Sequence, residues 1–324
     1  MADLQATARA HTNIALVKYW GKKDKNLILP MNGSISLTLD KFFTDTMVEY
    51  SPSLKEDHFF LNGQNKNDQK LAKFMDVVRQ KTGFNSYASI NSTNHVPTAA
   101  GLASSASAYA ALALAATTAA NKHYSKTELS RLARRGSGSA TRSIFGGFVE
   151  WIEGQDDESS YAQPLKVNTD WDIRMIAIVI DSKPKKVSSR SGMQNVVATS
   201  PFYKEWVRTA NKDLDAIKDA LSKNDFQSFG QIAESNSLKM HALNLSATPH
   251  FNYFEPESLI AMKAVENLRE KKVNCYYTMD AGPNVKVICK NNDLDVILDE
   301  LRHYFPSDHL LVAAPGPGVK LLDN

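Results

Sequence analysis

The sequence predicts an α+β protein whose two lobes pack tightly across a cleft. Three observations lead there. Short strand-like runs, broken by glycine, proline and asparagine, alternate with stretches of three- and four-residue apolar spacing. The 324 residues, 43% hydrophobic and 23% charged, are enough for a sizeable core. No repeat, low-complexity stretch or linker sets one part of the chain apart from another.

Residues 7–39 read as strand, loop, strand: Ala15-Leu16-Val17, then Gly21, Pro30 and Asn32-Gly33, then the run from Ser34 to Leu39. A helix is expected over 67–81, where Leu71, Phe74, Met75 and Val78 share one face and Gly83 supplies a stop. A short strand follows at 87–91. The small-residue segment 94–107 then feeds an alanine-rich helix over 106–120. Ser107, Tyr109, Thr117 and Thr118 interrupt that helix and make it a poor membrane span, so a buried soluble helix is expected. After a helix at 126–134, a second small-residue loop from Arg135 to Arg142 leads through Phe145-Gly146-Gly147 into a strand at 148–151. A buried strand is expected at 174–180, ended by Pro184 and its flanking lysines. Helices near 201–221, 225–239, 257–270 and 293–303, and strands near 275–279, 285–289 and 309–314, complete the reading.

A formal net charge of +3 is too weak a bias for a nucleic-acid partner and suits anionic small molecules. The two cysteines, Cys275 and Cys289, are too few for a disulfide framework and read as reduced core residues. The histidines are scattered, and no His/Cys/Asp cluster demands a dedicated metal site. The first residues lack the basic and apolar runs of a secretory signal, so a cytoplasmic protein without membrane association is expected.

Three segments carry chemistry. From Pro97 to Ser107, Gly101 permits a tight turn, the alanines keep side chains out of the way, and serines stand at a helix start whose partial positive charge favours an anion. Taken alone it also reads as a tightly packed helix start, and it lacks a Walker lysine. Arg135-Gly136-Ser137-Gly138-Ser139-Ala140-Thr141-Arg142 presents hydroxyls, amides and guanidinium together. Asp280, before Ala281-Gly282-Pro283-Asn284, puts a carboxylate at a strand-to-turn junction, where it serves either a substrate or its own turn.

The run Thr98-Ala99-Ala100-Gly101-Leu102-Ala103-Ser104-Ser105 resembles the ATP loop of the GHMP kinase superfamily in its mevalonate diphosphate decarboxylase branch. Four further segments match that branch in order: Ala10 to Ala15 with Lys18-Tyr19-Trp20-Gly21-Lys22; Gly136 to Ser143; Val187-Ser188-Ser189-Arg190; and Met279 to Asn284. The resemblance implies the GHMP kinase fold, with a mixed α/β ATP-binding lobe over 1–182 and a ferredoxin-like lobe over 183–324 around a deep cleft. It also implies a homodimer and conversion of ATP and (R)-5-diphosphomevalonate to isopentenyl diphosphate, ADP, phosphate and carbon dioxide, through phosphorylation of the 3-hydroxyl. ATP is then a cosubstrate and Mg²⁺ its companion.

By that resemblance Asp280 stands at the reacting hydroxyl and Lys18 beside it. Arg142, assisted by Ser139, holds the substrate carboxylate, since a guanidinium donates two parallel hydrogen bonds. Asn13 orders Arg142 or Asp280. Tyr19, Lys22, Ser189 and Arg190, with Ser137, face the diphosphate. Ala100, Gly101, Leu102, Ala103, Ser104, Ser105 and Ser107 form the ATP loop, with Lys185 as a further phosphate contact; Ser105 or Ser104 reaches Mg²⁺. A kinase stopping before carbon dioxide loss is disfavoured by having both Lys18 and Asp280. A monophosphate substrate would change contacts at Lys22 and Arg190 and leave the other motifs as they are.

Overall fold

The structure is a computed structural model that describes residues 4–95, 104–167, 169–181 and 185–323. Its first sheet is built on two long strands, β1 (Gln5–Val17) and β4 (Ser34–Ser51), joined through the small hairpin of β2 (Lys22–Asp24) and β3 (Leu29–Pro30). β4 runs well past the expected strand end at Leu39. Its buried side chains alternate as Phe42, Thr44, Thr46, Val48 and Tyr50, so threonines on the inner face hide a period-two pattern from a reading based on apolar residues.

The chain continues through β5 (His58–Leu61), β6 (Gln64–Asn65), α1 (Gln69–Thr82), β7 (Tyr87–Asn94), α2 (Ser104–Ala119), α3 (Lys126–Gly136), the short α4 (Ala140–Ser143), β8 (Phe148–Trp151) and β9 (Ala162–Pro164). β7 and then β5 extend the sheet beyond β4, while β8 pairs with the other end of β4 and with β9. α1 begins where Asp68 accepts hydrogen bonds from the amides of Lys70 and Leu71, and ends at Gly83, whose φ of 72° suits glycine. The alanines of α2 are buried almost all round, letting it lie directly on β1 and β4 with Leu71, Phe74 and Val78 of α1 in the same core.

The second sheet comprises β10 (Ile173–Ile178), β11 (Cys275–Met279), β12 (Val285–Lys290) and β13 (Leu310–Ala313), antiparallel in the order β11-β12-β10-β13. Between β10 and β11 come α5 (Ser189–Thr199), α6 (Tyr203–Ser222), α7 (Phe226–Ser246) and α8 (Pro256–Glu270); α9 (Leu294–Leu301) joins β12 to β13. This is the ferredoxin-like order that the resemblance implies. α5 is absent from the expected helices, because its polar first turn, Ser189-Arg190-Ser191-Gly192, lacks apolar periodicity; Ser188 caps it by accepting from the Ser191 amide.

The expected division at 182/183 needs correction. β10 lies before it yet belongs to the second sheet, and the last strand, β14 (Lys320–Leu322), returns to pair with β1. The lobes are joined by a shared core in which Ile14, Leu16 and Leu37 meet Met175, Phe229 and Ile288. α7 packs on both β1 and β11, approaching so closely that a Cβ on Gly230 would lie 1.9 Å from the Tyr276 ring. The ends of β1, α4, α5 and β11 converge on one cleft. No helix among the described residues is long and apolar enough to cross a membrane.

Candidate active site

At the floor of the cleft, the Lys18 ammonium donates to Asp280 Oδ1 at 2.8 Å and to the Ala15 carbonyl at 2.7 Å. Lys18 follows β1, and its backbone is fixed on both sides: its amide donates to Asn236 Oδ1 of α7, and its carbonyl accepts from Asn32 Nδ2. With 2% of the lysine exposed against 22% of the aspartate side chain, the pair is anchored in protein and offers the carboxylate to the cleft. Lys286 of β12, also buried, reaches to 3.8 Å from the other oxygen, Oδ2.

Burial alone would raise the Asp280 pKa, but Lys18, Lys286 and Lys185 outweigh it and hold the carboxyl at about 2. Because this lies below the ordinary 3.8, the stabilisation from the carboxylate is complete above about pH 4 and is lost as pH falls toward 2. Burial in turn pushes Lys286 down to about 8 against the pull of Asp280. Lys286 was not among the expected site residues; its signal is a cation between Val285 and Val287 in a strand whose other residues up to Cys289 are apolar. Lys286→Met is expected to lower kcat about tenfold and to raise the acid limb of its pH profile, with the Arg variant restoring part of both. An unchanged acid limb contradicts this electrostatic role.

Arg142, 2% exposed, sits on α4, which the sequence reading took as loop. Its Nε donates to Asn13 Oδ1 at 3.3 Å and one terminal nitrogen to Ser34 Oγ at 2.5 Å. Asn13 is itself held by donating to the Ser139 carbonyl and Ser143 Oγ, so of its two expected roles it takes the ordering of Arg142. Tyr19 packs on Trp151 at 4.7 Å between ring centroids, and its buried hydroxyl has no hydrogen-bond partner among the described residues. Gly138 permits this: a Cβ there would come within 2.8 Å of the Tyr19 ring.

Asp280, Lys18, Arg142, Asn13 and Tyr19 line one cavity of about 210 Å³, together with Lys22, Ser137, Ser139, Ser189, Arg190 and Ser105. A second cavity, about 250 Å³, is lined by Phe59, Leu61, Tyr109, Asn94 and Ser104. Lys70 and Ser105 border both, so the cavities meet at the start of α2. Ser105 Oγ lies 3.3 Å from Ser137 Oγ, which lies 3.3 Å from Ser139 Oγ, forming a row of hydroxyls along that junction. Lys70 went unanticipated because a lysine at a helix start ordinarily reads as solvated.

Of the expected ATP loop, Ala100, Gly101, Leu102 and Ala103 lie outside the described residues. Ser104 and Ser105 open α2 and are exposed. Ser107 needs correction: it is fully buried, its hydroxyl 2.7 Å from Thr44 Oγ1, and it ties α2 to the sheet rather than facing the cleft. Lys185 lies near the Gly282 turn and contributes to the field at Asp280. Among the described residues no group of three or more His, Cys, Asp or Glu is placed to hold a metal. The hard oxygen donors at hand, Ser104 and Ser105, fit a magnesium ion that is carried mainly by phosphate oxygens.

Comparisons with known proteins agree in both lobes. Residues 10–162 match the model of the diphosphomevalonate decarboxylase-like N-terminal domain, and 175–315 that of the mevalonate 5-diphosphate decarboxylase C-terminal domain. Diphosphomevalonate decarboxylase of Ganoderma lucidum is 36% identical over 94% of this chain and 83% of its own length. The Rattus norvegicus enzyme of that name is 34% identical over 94% and 81%. Among solved structures, mevalonate diphosphate decarboxylase from Staphylococcus aureus is 48% identical with a TM-score of 0.95, covering 98% of each chain. MDDEF in complex with MVAPP, AMPPCP and magnesium is 47% identical with a TM-score of 0.96 over 100% of both chains. With both lobes matched and the identity spread over nearly the whole length, the chain belongs to the diphosphomevalonate decarboxylase family.

Proposed function

We infer that the protein catalyses the ATP-dependent decarboxylation of (R)-5-diphosphomevalonate to isopentenyl diphosphate, with release of ADP, phosphate and carbon dioxide. ATP is the cosubstrate and Mg²⁺ accompanies it. The observation that carries the residue roles is the buried Lys18–Asp280 pair facing Arg142 across one cavity.

In this reading the diphosphate lies against Tyr19, Lys22, Ser189 and Arg190, with Ser137 beside them, and Arg142 with Ser139 grips the carboxylate. That pose brings the 3-hydroxyl to Asp280, which accepts its hydrogen bond and takes its proton as the oxygen attacks the γ-phosphoryl group. Lys18 keeps Asp280 ionised. Magnesium, held through the nucleotide phosphates with Ser105 or Ser104, offsets the charge on the transferring group. When the C3–O bond of the 3-phosphate ester breaks, its electron pair leaves with phosphate, and the Lys18 and Lys286 ammoniums stabilise the developing anion. The bond to the carboxylate carbon then supplies the electrons of the new double bond, and carbon dioxide departs. Arg142 aligns those two bonds by fixing the carboxylate.

The diphosphate preference rests on Lys22 and Arg190. Comparison of the 5-diphosphate with the 5-monophosphate tests it: a kcat/KM at least 10²-fold higher for the diphosphate is expected from charge-assisted contacts, and equal values overturn it. Burial, then the charges of Arg190 and Lys25, lower Lys22 to about 8. The unbound enzyme therefore loses this ammonium as pH rises through 8, and kcat/KM for the diphosphate is expected to fall there. A value constant from pH 7 to 9.5 contradicts the assignment.

A homodimer and a cytoplasmic location are part of the same proposal. The exposed aliphatic side chains Leu238 and Leu245 of α7 and Leu259 and Ile260 of α8 support the first, which sedimentation tests. The small number of cysteines, Cys275 and Cys289, supports the second.

A further inference from the structure

Beyond the cleft, and continuous with it through Lys22, Lys70, Ile28 and Arg190, lies an open groove of about 450 Å³ between the β2–β3 hairpin, the first half of α1 and the start of α5. Its walls carry six cations, Lys22, Lys25, Lys70, Lys73, Arg135 and Arg190, and no acidic residue. Six exceeds the net +3 of the whole chain, so the rest of the protein is net negative and positive potential is concentrated at this mouth.

Two carboxylates adjacent in sequence to the groove's lysines are committed to backbone. Asp24 Oδ1 accepts from the amides of Asn26 and Leu27, and Asp68 caps α1. Among the described residues none of Lys22, Lys25, Lys70, Lys73 or Arg190 has a salt-bridge partner within 4.0 Å; only Arg135 approaches an acid, Asp157 at 3.7 Å. Burial and the crowding of Arg190 and Lys25 lower Lys22 to about 8, and burial with Arg190 lowers Lys70 to about 8 although Asp68 pulls the other way. Such crowding is unfavourable in the free protein and is relieved by a polyanion.

We propose that this groove is an electrostatic capture site for the phosphorylated substrate, in which Lys25 and Lys73 draw the polyanion to the mouth of the cleft before Lys22 and Arg190 seat it. Lys25 and Lys73 are exposed and line only the outer groove, so they act on encounter and not on chemistry. A funnel of one charge sign raises association rates by about 10–10³-fold, and the effect fades as salt shortens the reach of the field. The inference rests on the substrate assignment above, and the test separates the two.

The test is the association rate of 5-diphosphomevalonate, followed by stopped-flow tryptophan fluorescence in the full-length protein, because Trp20 lines the cavity and Trp151 packs behind its Tyr19 wall. Wild type is compared with Lys25→Gln/Lys73→Gln from low salt to 0.5 M. The double variant is expected to associate about three- to tenfold more slowly at low salt. It should converge on wild type at high salt with kcat unchanged, while Lys263→Gln on α8 leaves the rate as it was. Equal rates and equal salt dependence in the double variant overturn the proposal, as does a deficit that persists at high salt. Failure of the substrate assignment would instead appear as absence of turnover in wild type.

Discussion

Asp280→Asn is expected to lower kcat by about 10³-fold, within the range set by loss of a positioned proton acceptor, while ATP affinity changes less than threefold. The amide keeps the size of the carboxylate and still accepts a hydrogen bond from Lys18, which donates to Oδ1 at 2.8 Å. It cannot take a proton, and it removes the one negative charge among Lys18, Lys286 and Lys185. Circular dichroism and thermal melting accompany the kinetics, so that a folding defect is told apart from a catalytic one. A folded variant retaining a tenth of the wild-type kcat would remove Asp280 from the proton-transfer step.

Arg142→Lys is expected to cost about 10²-fold in kcat, the scale of a misplacement of roughly 1 Å. The guanidinium uses Nε toward Asn13 and one terminal nitrogen toward Ser34, leaving its remaining edge for a carboxylate. An ammonium retains the charge but cannot span those partners and also present two parallel donors. Because the contact orients the bond that must break, kcat should fall more than KM rises. Product analysis adds a sharper readout: ADP release should exceed carbon dioxide release if phosphorylation outlasts the loss of alignment. Wild-type kinetics and equal product yields would reject the alignment role.

The features of the fold and site that are legible in a single sequence are those with local causes. Leu71, Phe74 and Val78 share a face because a helix has 3.6 residues per turn, and Gly83 ends α1 because φ of 72° is open to it. The four apolar strands of the second sheet were visible as runs, although their order depends on pairings more than 100 residues apart, as between β10 and β12. The paired motifs of Lys18 and Asp280 were recognisable separately through family resemblance. Their 2.8 Å contact, across a sequence separation of 262, is a property of the folded chain.

What escaped the reading did so for specific reasons. The inner-face threonines of β4 pair with serine hydroxyls of neighbouring elements, Thr44 with Ser107 of α2 and Thr46 with Ser92 of β7, so burial there leaves no apolar signature. That pairing also withdraws Ser107 from the nucleotide side. Lys286 and Lys70 are lysines whose burial or crowding is created by neighbours remote in sequence. The division between lobes was misplaced because β10 is equally apolar whichever sheet receives it, and β14 is three residues long with a lysine at its start.

The stoichiometry of the wild-type reaction tells a decarboxylase from a kinase. Purified protein is supplied with ATP, magnesium and (R)-5-diphosphomevalonate, and ADP and carbon dioxide are followed together. Equal release of the two is expected at every time point, abolished by omitting either ATP or the diphosphate. ADP formed without carbon dioxide would make the protein a kinase of the 3-hydroxyl and not a decarboxylase.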